Sequence, residues 1–242
     1  MPLDAKFFQP EDILGVTADG LVLQSGPNAS DTSNEAVVLG PNGDLAMRTV
    51  DGQPVPAIQR YGRAQTATQS YIITAEKINV FNKLAPGVVL NDWHIDSIRL
   101  SMTNDNWPTL EVSCHKHIDG VPDAGCRVYG GILTADTPLG FGVSVFSAVS
   151  VPDTLAVTGQ TIEVTCNHVD EFGGHGEHIA GDNYDGTATL TLDCTGSGEV
   201  TSVSPLWVLD SASDSDQSNT TAQKKQFVFK FHMPGHTNQP TE

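Results

Sequence analysis

Two histidines separated by one residue are the side chains best placed for shared chemistry. His115 and His117 lie in a segment whose apolar and polar residues alternate as in a β-strand. Both imidazoles therefore project to one face and could reach the same metal ion. A third ligand could come from His168, His175 or His178. The spacing matches neither the helical zinc-protease motif nor a cupin motif, because no glutamate follows at the required distance.

A structural role for this histidine pair is the interpretation that we favour. Residues 109–117 place their apolar side chains on one face, and the other face carries Glu111 and Ser113 beside the two histidines. Antiparallel sheets commonly have one polar face of this kind. We therefore predict that the chain has no metal site and needs no cofactor. The alternative is a metal-dependent enzyme built on His115, His117 and the acidic loop at residues 170–185.

The four cysteines do not form a recognisable metal or disulfide framework. No Cys-x-x-Cys pair occurs, and three of the four fall on the apolar face of a predicted strand. Free cysteines of this kind behave as small apolar core residues. Alternation does not assign a face to Cys126. We predict free, structural cysteines at Cys114, Cys126, Cys166 and Cys194.

An acidic and glycine-rich segment, residues 170–185, separates two strand-like segments. Its oxygen-bearing side chains are dense enough for calcium, but their order does not match an EF-hand loop. Long loops in compact domains are often functional. We predict that this segment is a long loop that contacts a neighbouring subunit through Asp170, Glu171, His175, Glu177, His178, Asp182, Tyr184 and Asp185.

Signatures of other enzyme classes are missing from the sequence. It contains no Gly-x-Ser-x-Gly nucleophile motif, and it contains neither a dinucleotide-binding glycine motif nor a P-loop. Paired carboxylates for glycoside hydrolysis stay open, because their separation is a three-dimensional property. We predict that the protein is not an enzyme.

The charge balance argues against several partners. The chain has 12 Lys and Arg against 29 Asp and Glu, which gives a formal charge of -17. Nucleic acids and anionic membranes are bound by basic surfaces, so we expect neither as a specific partner. Residues 1–10 contain no apolar run, so we expect no secretory signal. The longest uncharged stretch is too short and too broken for a membrane span.

Alternation with a period of two recurs along the chain, whereas helical periodicity is nearly absent. The segment Pro-Asn-Gly-Asp at 41–44 predicts a hairpin turn, and only residues 140–149 could form a short helix. We predict a mainly β fold, an antiparallel β-sandwich or half-barrel with long loops and at most one short helix. The predicted strands are 20–25, 35–40, 45–50, 68–81, 88–102, 109–117, 160–168, 186–194, 199–209 and 225–232.

We divide the chain into an N-terminal arm over 1–12, a single β-sandwich or barrel domain over 13–233, and a flexible tail over 234–242. The string Glu-Val-Ser/Thr-Cys occurs at 111–114 and at 163–166, which leaves open that the domain contains two sub-repeats. Residues 210–223 are Ser, Asp, Asn or Thr in most positions, and we predict a solvated loop there.

Two stretches give the chain a resemblance to a known family. A strand and turn over 34–44 end in Gly-Pro-Asn-Gly-Asp, and a long β segment leads into Asn-Trp-Pro-Thr-Leu-Glu-Val at 106–112. In this pattern of strands and turns, which covers most of residues 14–232, the chain resembles the tail-tube and related virion proteins of long-tailed bacteriophages.

The resemblance implies a structural protein of the virion, made in the host cytoplasm. Its partners would be further copies of itself, in homo-oligomeric rings that are hexameric by the resemblance, and other virion proteins. The rings would stack around a lumen that conducts DNA, and the 170–185 segment would reach an adjacent ring. The acidity fits such a lumen, because a wall of like charge gives DNA nothing to bind. The residues themselves do not fix the ring size.

The alternative function is a carbohydrate- or receptor-binding β-sandwich module of a virion or cell surface. Trp93, Trp107 and Tyr184 are the candidate stacking platforms. Aromatic residues of this size are more often part of the core, since they bury a large apolar area.

Overall fold

A computed structural model describes residues 11–17, 20–37, 42, 44–74, 83–123, 125–129, 139–173, 177–215 and 223–231. Within them the chain is built of antiparallel strands and contains no helix, which confirms the predicted mainly β fold. No described helix has the length and apolarity to span a membrane. The strands are β1 (Leu21–Val37), β2 (Met47–Val50), β3 (Gln53–Pro56), β4 (Ile58–Ile73), β5 (Val89–Leu90), β6 (Trp93–Thr103), β7 (Thr109–His117), β8 (Val149–Ser150), β9 (Leu155–Phe172), β10 (His178–Gly196), β11 (Thr201–Ser202), β12 (Trp207–Ser215) and β13 (Lys224–Phe231).

One large sheet organises the fold. Its strand order is β1-β4-β7-β6-β9-β10-β13-β12, with β5 paired to β6 as a ninth strand. Two small hairpin-like sheets, β2–β3 and β8–β11, lie outside it. Every strand of the large sheet pairs antiparallel with its neighbours. The described part of the fold therefore centres on a single wide sheet.

A row of apolar side chains crosses the sheet and forms the centre of its core. Six strands contribute one residue each, and every one of these side chains is fully buried. Burial of each such side chain contributes about 1.5–3 kcal/mol. Cross-strand pairing joins them in the order Tyr71, Leu110, Leu100, Ile162, Leu190 and Phe229.

Irregular segments cover this apolar face and are held by buried polar groups. Leu14 and Phe146 belong to the same core cluster as the sheet residues. The side chain of Gln160 in β9 accepts a hydrogen bond from the Phe146 backbone N–H and donates one to the Ser144 carbonyl. The Tyr71 hydroxyl lies 2.8 Å from the Asp12 carboxylate. Buried polar groups thus fix two covering segments, because each is satisfied only in this position.

Several predicted strand boundaries are wrong. The predicted strands 20–25 and 35–40 both overlap the single strand β1, and β4 begins at Ile58 and not at residue 68. Predicted strand 88–102 is divided by Asn91 and Asp92, and the hairpin of β2 and β3 turns at Asp51 and Gly52. All four residues have positive φ, as type I′ turns require. Residues 41 and 43 of the predicted hairpin turn lie outside the described residues, and among the described strands β1 pairs with β4 and β2 with β3.

The prediction that two polar segments, 170–185 and 210–223, are loops is also partly wrong. Residues 170–172 belong to β9 and 178–185 to β10, so that only 173–177 connect the two strands. Residues 210–215 belong to β12, and 216–222 lie outside the described residues. Both segments are strands with little apolar content, because they pair at the margins of the sheet and bury few side chains. The predicted tail over 234–242 also lies outside the described residues.

Candidate functional site

A two-stranded arm extends beyond the body of the sheet. Strand β6 pairs with β9 only as far as Thr165, and β13 pairs with β10 only from Ala188 onward. Beyond these points residues 166–172 and 178–187 pair with each other. We call these two stretches the arm. Its outward side chains include Val169 and Ile179, both about half exposed.

A segment that follows β7 lies along β10 of the arm. Residues 118–123 and 125–129, here called the covering segment, contact β10 through backbone hydrogen bonds. The His178 N–H donates to the Asp119 carbonyl at 3.0 Å, and the Val121 N–H donates to the His178 carbonyl at 3.1 Å. Gly120 makes this approach feasible, because its φ is +107° and a Cβ there would collide with the His178 backbone.

Imidazole and carboxylate groups from four parts of the chain meet between the covering segment, the end of β7 and the arm. We call the six residues the His–Asp cluster. Ligand atoms of five of them lie within 4.8 Å of one another, and the sixth, His178, contacts both carboxylates. The members are His115 and His117 of β7, Asp123 of the covering segment, His168 and Asp170 of β9, and His178 of β10.

Two carboxylates form the centre of the cluster. Asp123 Oδ2 lies 2.9 Å from His115 Nε2, 3.1 Å from His117 Nε2 and 3.5 Å from His168 Nε2. Asp170 Oδ1 lies 2.8 Å from His168 Nε2 and 3.2 Å from His117 Nε2. The Asp123 side chain is 1% exposed. The ring atoms that converge on these oxygens are all Nε2.

His178 occupies a different position in the cluster from the other histidines. Its Nε2 lies 3.0 Å from Asp123 Oδ1 and 3.4 Å from Asp170 Oδ1. The geometry between His178 Nε2 and Asp123 Oδ1 is not that of a hydrogen bond, and both atoms are buried without a partner. The His178 ring stacks on that of His117 with centroids 3.6 Å apart.

Hydrogen bonds on the outer side of the rings set their orientation. His115 Nδ1 lies 2.6 Å from Asp96 Oδ1, and His168 Nδ1 lies 2.7 Å from Asn183 Oδ1. His178 Nδ1 lies 2.7 Å from the Val121 carbonyl. A carbonyl oxygen only accepts, so His178 Nδ1 carries a proton and donates it to Val121.

The cluster concentrates charge in a buried volume. Burial raises the pKa of Asp123, but hydrogen bonds with His115, His117 and His168 outweigh burial and hold this pKa far below its usual range. Burial lowers the pKa of His115, but Asp123 and Asp96 outweigh it and raise the pKa to about 9. The cluster therefore strongly favours ionised carboxylates, and a cation among them is stabilised.

The cysteines are protonated thiols, and Cys126 lies within ligand distance of His168 in the cluster. All four are unpaired, three of them are buried, and Cys166 is half-buried, in agreement with the prediction of free cysteines. The Cys126 thiol donates to the Gly181 carbonyl at 3.1 Å. Burial raises the pKa of Cys126 to about 11, with a further contribution from Asp123. Thiolate is the metal-binding form of cysteine.

The structure brings together only part of the residue set predicted to contact a neighbouring subunit. Asp170 and His178 enter the His–Asp cluster. Asp182 instead accepts a hydrogen bond from the Arg127 N–H, and Tyr184 is exposed. His175 lies outside the described residues. The remaining members, none of which belongs to the cluster, are Glu171, Glu177 and Asp185.

Sequence reasoning missed Asp123 of the cluster and Asp96 beside it. Asp123 follows a glycine turn and looks like any solvated acidic residue, and Asp96 lies at a register shift in β6. Spacing along the chain gives no sign that either one faces a histidine. His115 and His117 lie on the face that carries Glu111, as predicted, but the covering segment and the arm bury them.

Comparison with known proteins gives no relative for this arrangement. No protein-family model matches the chain, and no curated protein matches it significantly.

Proposed function

We propose that the protein is a structural, self-assembling virion protein, a tail-tube-like protomer whose rings stack around a lumen that conducts DNA. The observation that carries the proposal is the open sheet. Within the described residues, β1 pairs only with β4, and β12 pairs only with β13. Each end strand therefore presents a row of backbone N–H and C=O groups to a further strand.

The β12 edge has the properties of a pairing surface. Its nine residues contain no Lys, Arg or Pro, and its two charged residues, Asp210 and Asp214, are paired with Lys230 and Lys225 of β13. Val208 and Leu209 are each almost half exposed on it. An edge of this kind in one copy can continue the sheet of the next copy through β1. Pairing of two different edges is head-to-tail, and such contacts generate rings where the rotation closes.

Two extensions project from one end of the sheet. The first is the arm of β9 and β10. The second is formed by the start of β4 with the end of β1, because β7 pairs with β4 only from Ala64 onward. Strand register places both extensions beyond His117, the last residue of β7. Extensions in this position suit contact with the adjacent ring of a stack.

The charge supports the same function. A formal charge of -17 gives a ring of such protomers a strongly acidic surface. DNA binding depends on release of counterions by basic residues, so an acidic wall lets DNA pass without holding it.

Light scattering coupled to size-exclusion chromatography tests this proposal. We expect a mass well above the 25.7 kDa of one chain, increasing with protein concentration as rings form and stack. A monomer that persists at high concentration contradicts the proposal.

A carbohydrate- or receptor-binding module is the second candidate, and one surface feature favours it. Trp107 and Phe141 are 45% and 61% exposed and contact each other edge to face. Exposed aromatic rings can stack on sugars. Trp93 is buried and is not available as a platform. Glycan-array binding that is lost in Trp107→Ala and in Tyr184→Ala would favour this function over assembly.

A further inference from the structure

We propose that the His–Asp cluster binds one divalent transition-metal ion of the zinc type. The ligands are His115, His117, His168, Asp123 and Asp170, and His178 completes the set. The inference stands on the geometry of the cluster and does not depend on the proposed assembly.

The distances between the side chains match those between ligands of one ion. Ligands bonded at about 2.1 Å lie about 3.0 Å apart at neighbouring corners of an octahedron and about 3.4 Å apart in a tetrahedron. The distances from the two carboxylates to the imidazole Nε2 atoms run from 2.8 Å to 3.5 Å. Ligand atoms of five of the residues also lie within 4.8 Å of one another, close enough for these side chains to converge on one ion.

The unpaired atoms indicate what belongs at that point. His178 Nε2 and Asp123 Oδ1 are both buried and only 3.0 Å apart, yet no hydrogen bond joins them. A buried donor or acceptor without a partner is costly. Because His178 Nδ1 is engaged with the Val121 carbonyl, Nε2 is the ring atom left to bind a ligand. A cation that accepts both electron pairs satisfies both atoms.

The hydrogen bonds around the cluster are those that support metal-bound histidines. Such histidines donate their second ring N–H to a carboxylate, an amide or a backbone carbonyl, which fixes the ring and raises its basicity. In this cluster the three acceptors are Asp96, Asn183 and the Val121 carbonyl. Asn183 is itself oriented, because its Nδ2 donates to the Arg127 carbonyl. The amide oxygen is therefore the atom that faces His168.

The donor types select the ion and its role. Four imidazoles favour zinc, nickel, cobalt, copper or iron over magnesium and calcium, which prefer oxygen ligands. The cluster offers six protein donors, more than the four that a structural zinc ion needs, and the side chains of Asp123, His178 and His117 are at most 3% exposed. Closed sites of this kind are structural, whereas catalytic zinc keeps a position open. The ion would join β7, the covering segment and both strands of the arm.

Gly181 shows how closely the arm backbone approaches this position. A Cβ built at Gly181 would collide with Asp123 Oδ1 and with His168 Nε2. The residue has no positive φ that would require glycine for conformational reasons. Glycine at this position therefore keeps space free directly beside two of the ligand atoms.

Zinc titration of the full-length protein tests the proposal. The chain is purified without a histidine tag or a metal-affinity resin, treated with chelator and dialysed, and Zn²⁺ binding is measured by calorimetry. We expect one ion per chain. Asp123→Asn should weaken the affinity at least tenfold. The matched control is Asp119→Asn, the same substitution on an exposed residue of the covering segment, which should bind like the wild type.

Cobalt substitution tests the ligand types. We expect the absorption bands of Co²⁺ bound by nitrogen and oxygen, without a sulfur-to-cobalt charge-transfer band. That band would place the ion at His94, Cys126 and His168, which also lie within ligand distance of one another, and would overturn our ligand assignment.

Two further results would overturn the proposal. One is a wild-type protein that binds neither Zn²⁺ nor Co²⁺ stoichiometrically, which would make the cluster a network of imidazolium and carboxylate groups. The other is an Asp123→Asn variant with unchanged affinity. If Asp123→Asn does not fold, the wild-type titration and the cobalt spectrum still decide the matter.

Discussion

His178 Nε2 lies 3.0 Å from Asp123 Oδ1 in a buried site, and the two atoms share no hydrogen bond. The pair joins residues that are far apart in sequence, one from the covering segment and one from the start of β10. It lies at the outer end of the arm, where His178 pairs with Phe172. Whatever holds these two atoms together also fixes the position of the arm.

Metal removal should destabilise the protein. A ligand that binds only the folded state at 100 times its Kd contributes about 2.7 kcal/mol. For a chain of this size that corresponds to a decrease in Tm of roughly 5–10 °C. Differential scanning calorimetry with and without chelator measures the effect, and added Zn²⁺ should restore the Tm. Asp123→Asn should show no response to chelator, whereas an equal response in this variant would refute the role of the cluster.

Gly181→Ala should disrupt the cluster, because the added methyl group collides with Asp123 and His168. Insertion of a methyl group into a packed site costs about 1–3 kcal/mol, and we expect weaker Zn²⁺ binding as well. Denaturant unfolding and calorimetry measure the two effects. The control is Gly140→Ala, where nothing lies within 4 Å of the new Cβ. Equal stability of the two variants would contradict the described packing.

A lysine on the β12 edge should weaken assembly. Val208→Lys places a charge on an exposed residue of the end strand, and charged edges oppose pairing with a further strand. We expect the concentration needed for assembly to increase by about tenfold, which equals about 1.4 kcal/mol per contact. Light scattering measures this shift. Phe141→Lys, which places the same charge on an exposed loop residue, serves as the control, and a matching shift in it would argue against the edge as the interface.

Asp12 should contribute stability that depends on pH. Burial raises the pKa of Asp12, but hydrogen bonds from Tyr71 and from the Thr17 and Gly15 N–H groups outweigh it and lower the pKa below 3.8. Because the pKa of Asp12 is lower in the folded state, its carboxylate stabilises the fold at pH values above the unfolded-state pKa. This stabilisation is lost as the pH falls through the folded-state pKa.

Asp12→Asn is the variant that isolates this contribution. We expect a loss of about 1 kcal/mol at pH 7, as for other side chains that cap backbone N–H groups. The difference from the wild type should shrink below about pH 4, near the ordinary pKa of an aspartate. Urea unfolding of both proteins between pH 6 and pH 3 measures it. A difference that grows as the pH falls would show that the sign is wrong.

The central strands were predictable from sequence because their two faces differ. Residues 186–194 alternate strictly, and the structure buries Ala188, Leu190, Leu192 and Cys194 as the pattern indicates. The repeated Glu-Val-Ser/Thr-Cys string also has a structural counterpart. Glu111 and Glu163 both pair with Arg99, from opposite sides of β6. The string therefore marks the two strands that flank the centre of the sheet.

The arm and the position of Asp123 were beyond sequence reasoning for two reasons. A two-stranded extension buries few side chains, so residues 170–172 and 178–185 have the composition of a loop although they form strands. The site also depends on the position of the covering segment against β10. The covering segment carries Asp123 to β10 through the contact of Gly120 with His178, and nothing in the local sequence specifies that partner.

Electron microscopy of the concentrated wild-type protein tests the proposed function most directly. If β12 of one copy pairs with β1 of the next, the images should show rings of uniform diameter, or tubes formed by stacked rings. Isolated particles of the size of a single 25.7 kDa chain, at every concentration and with Zn²⁺ present, would contradict the account.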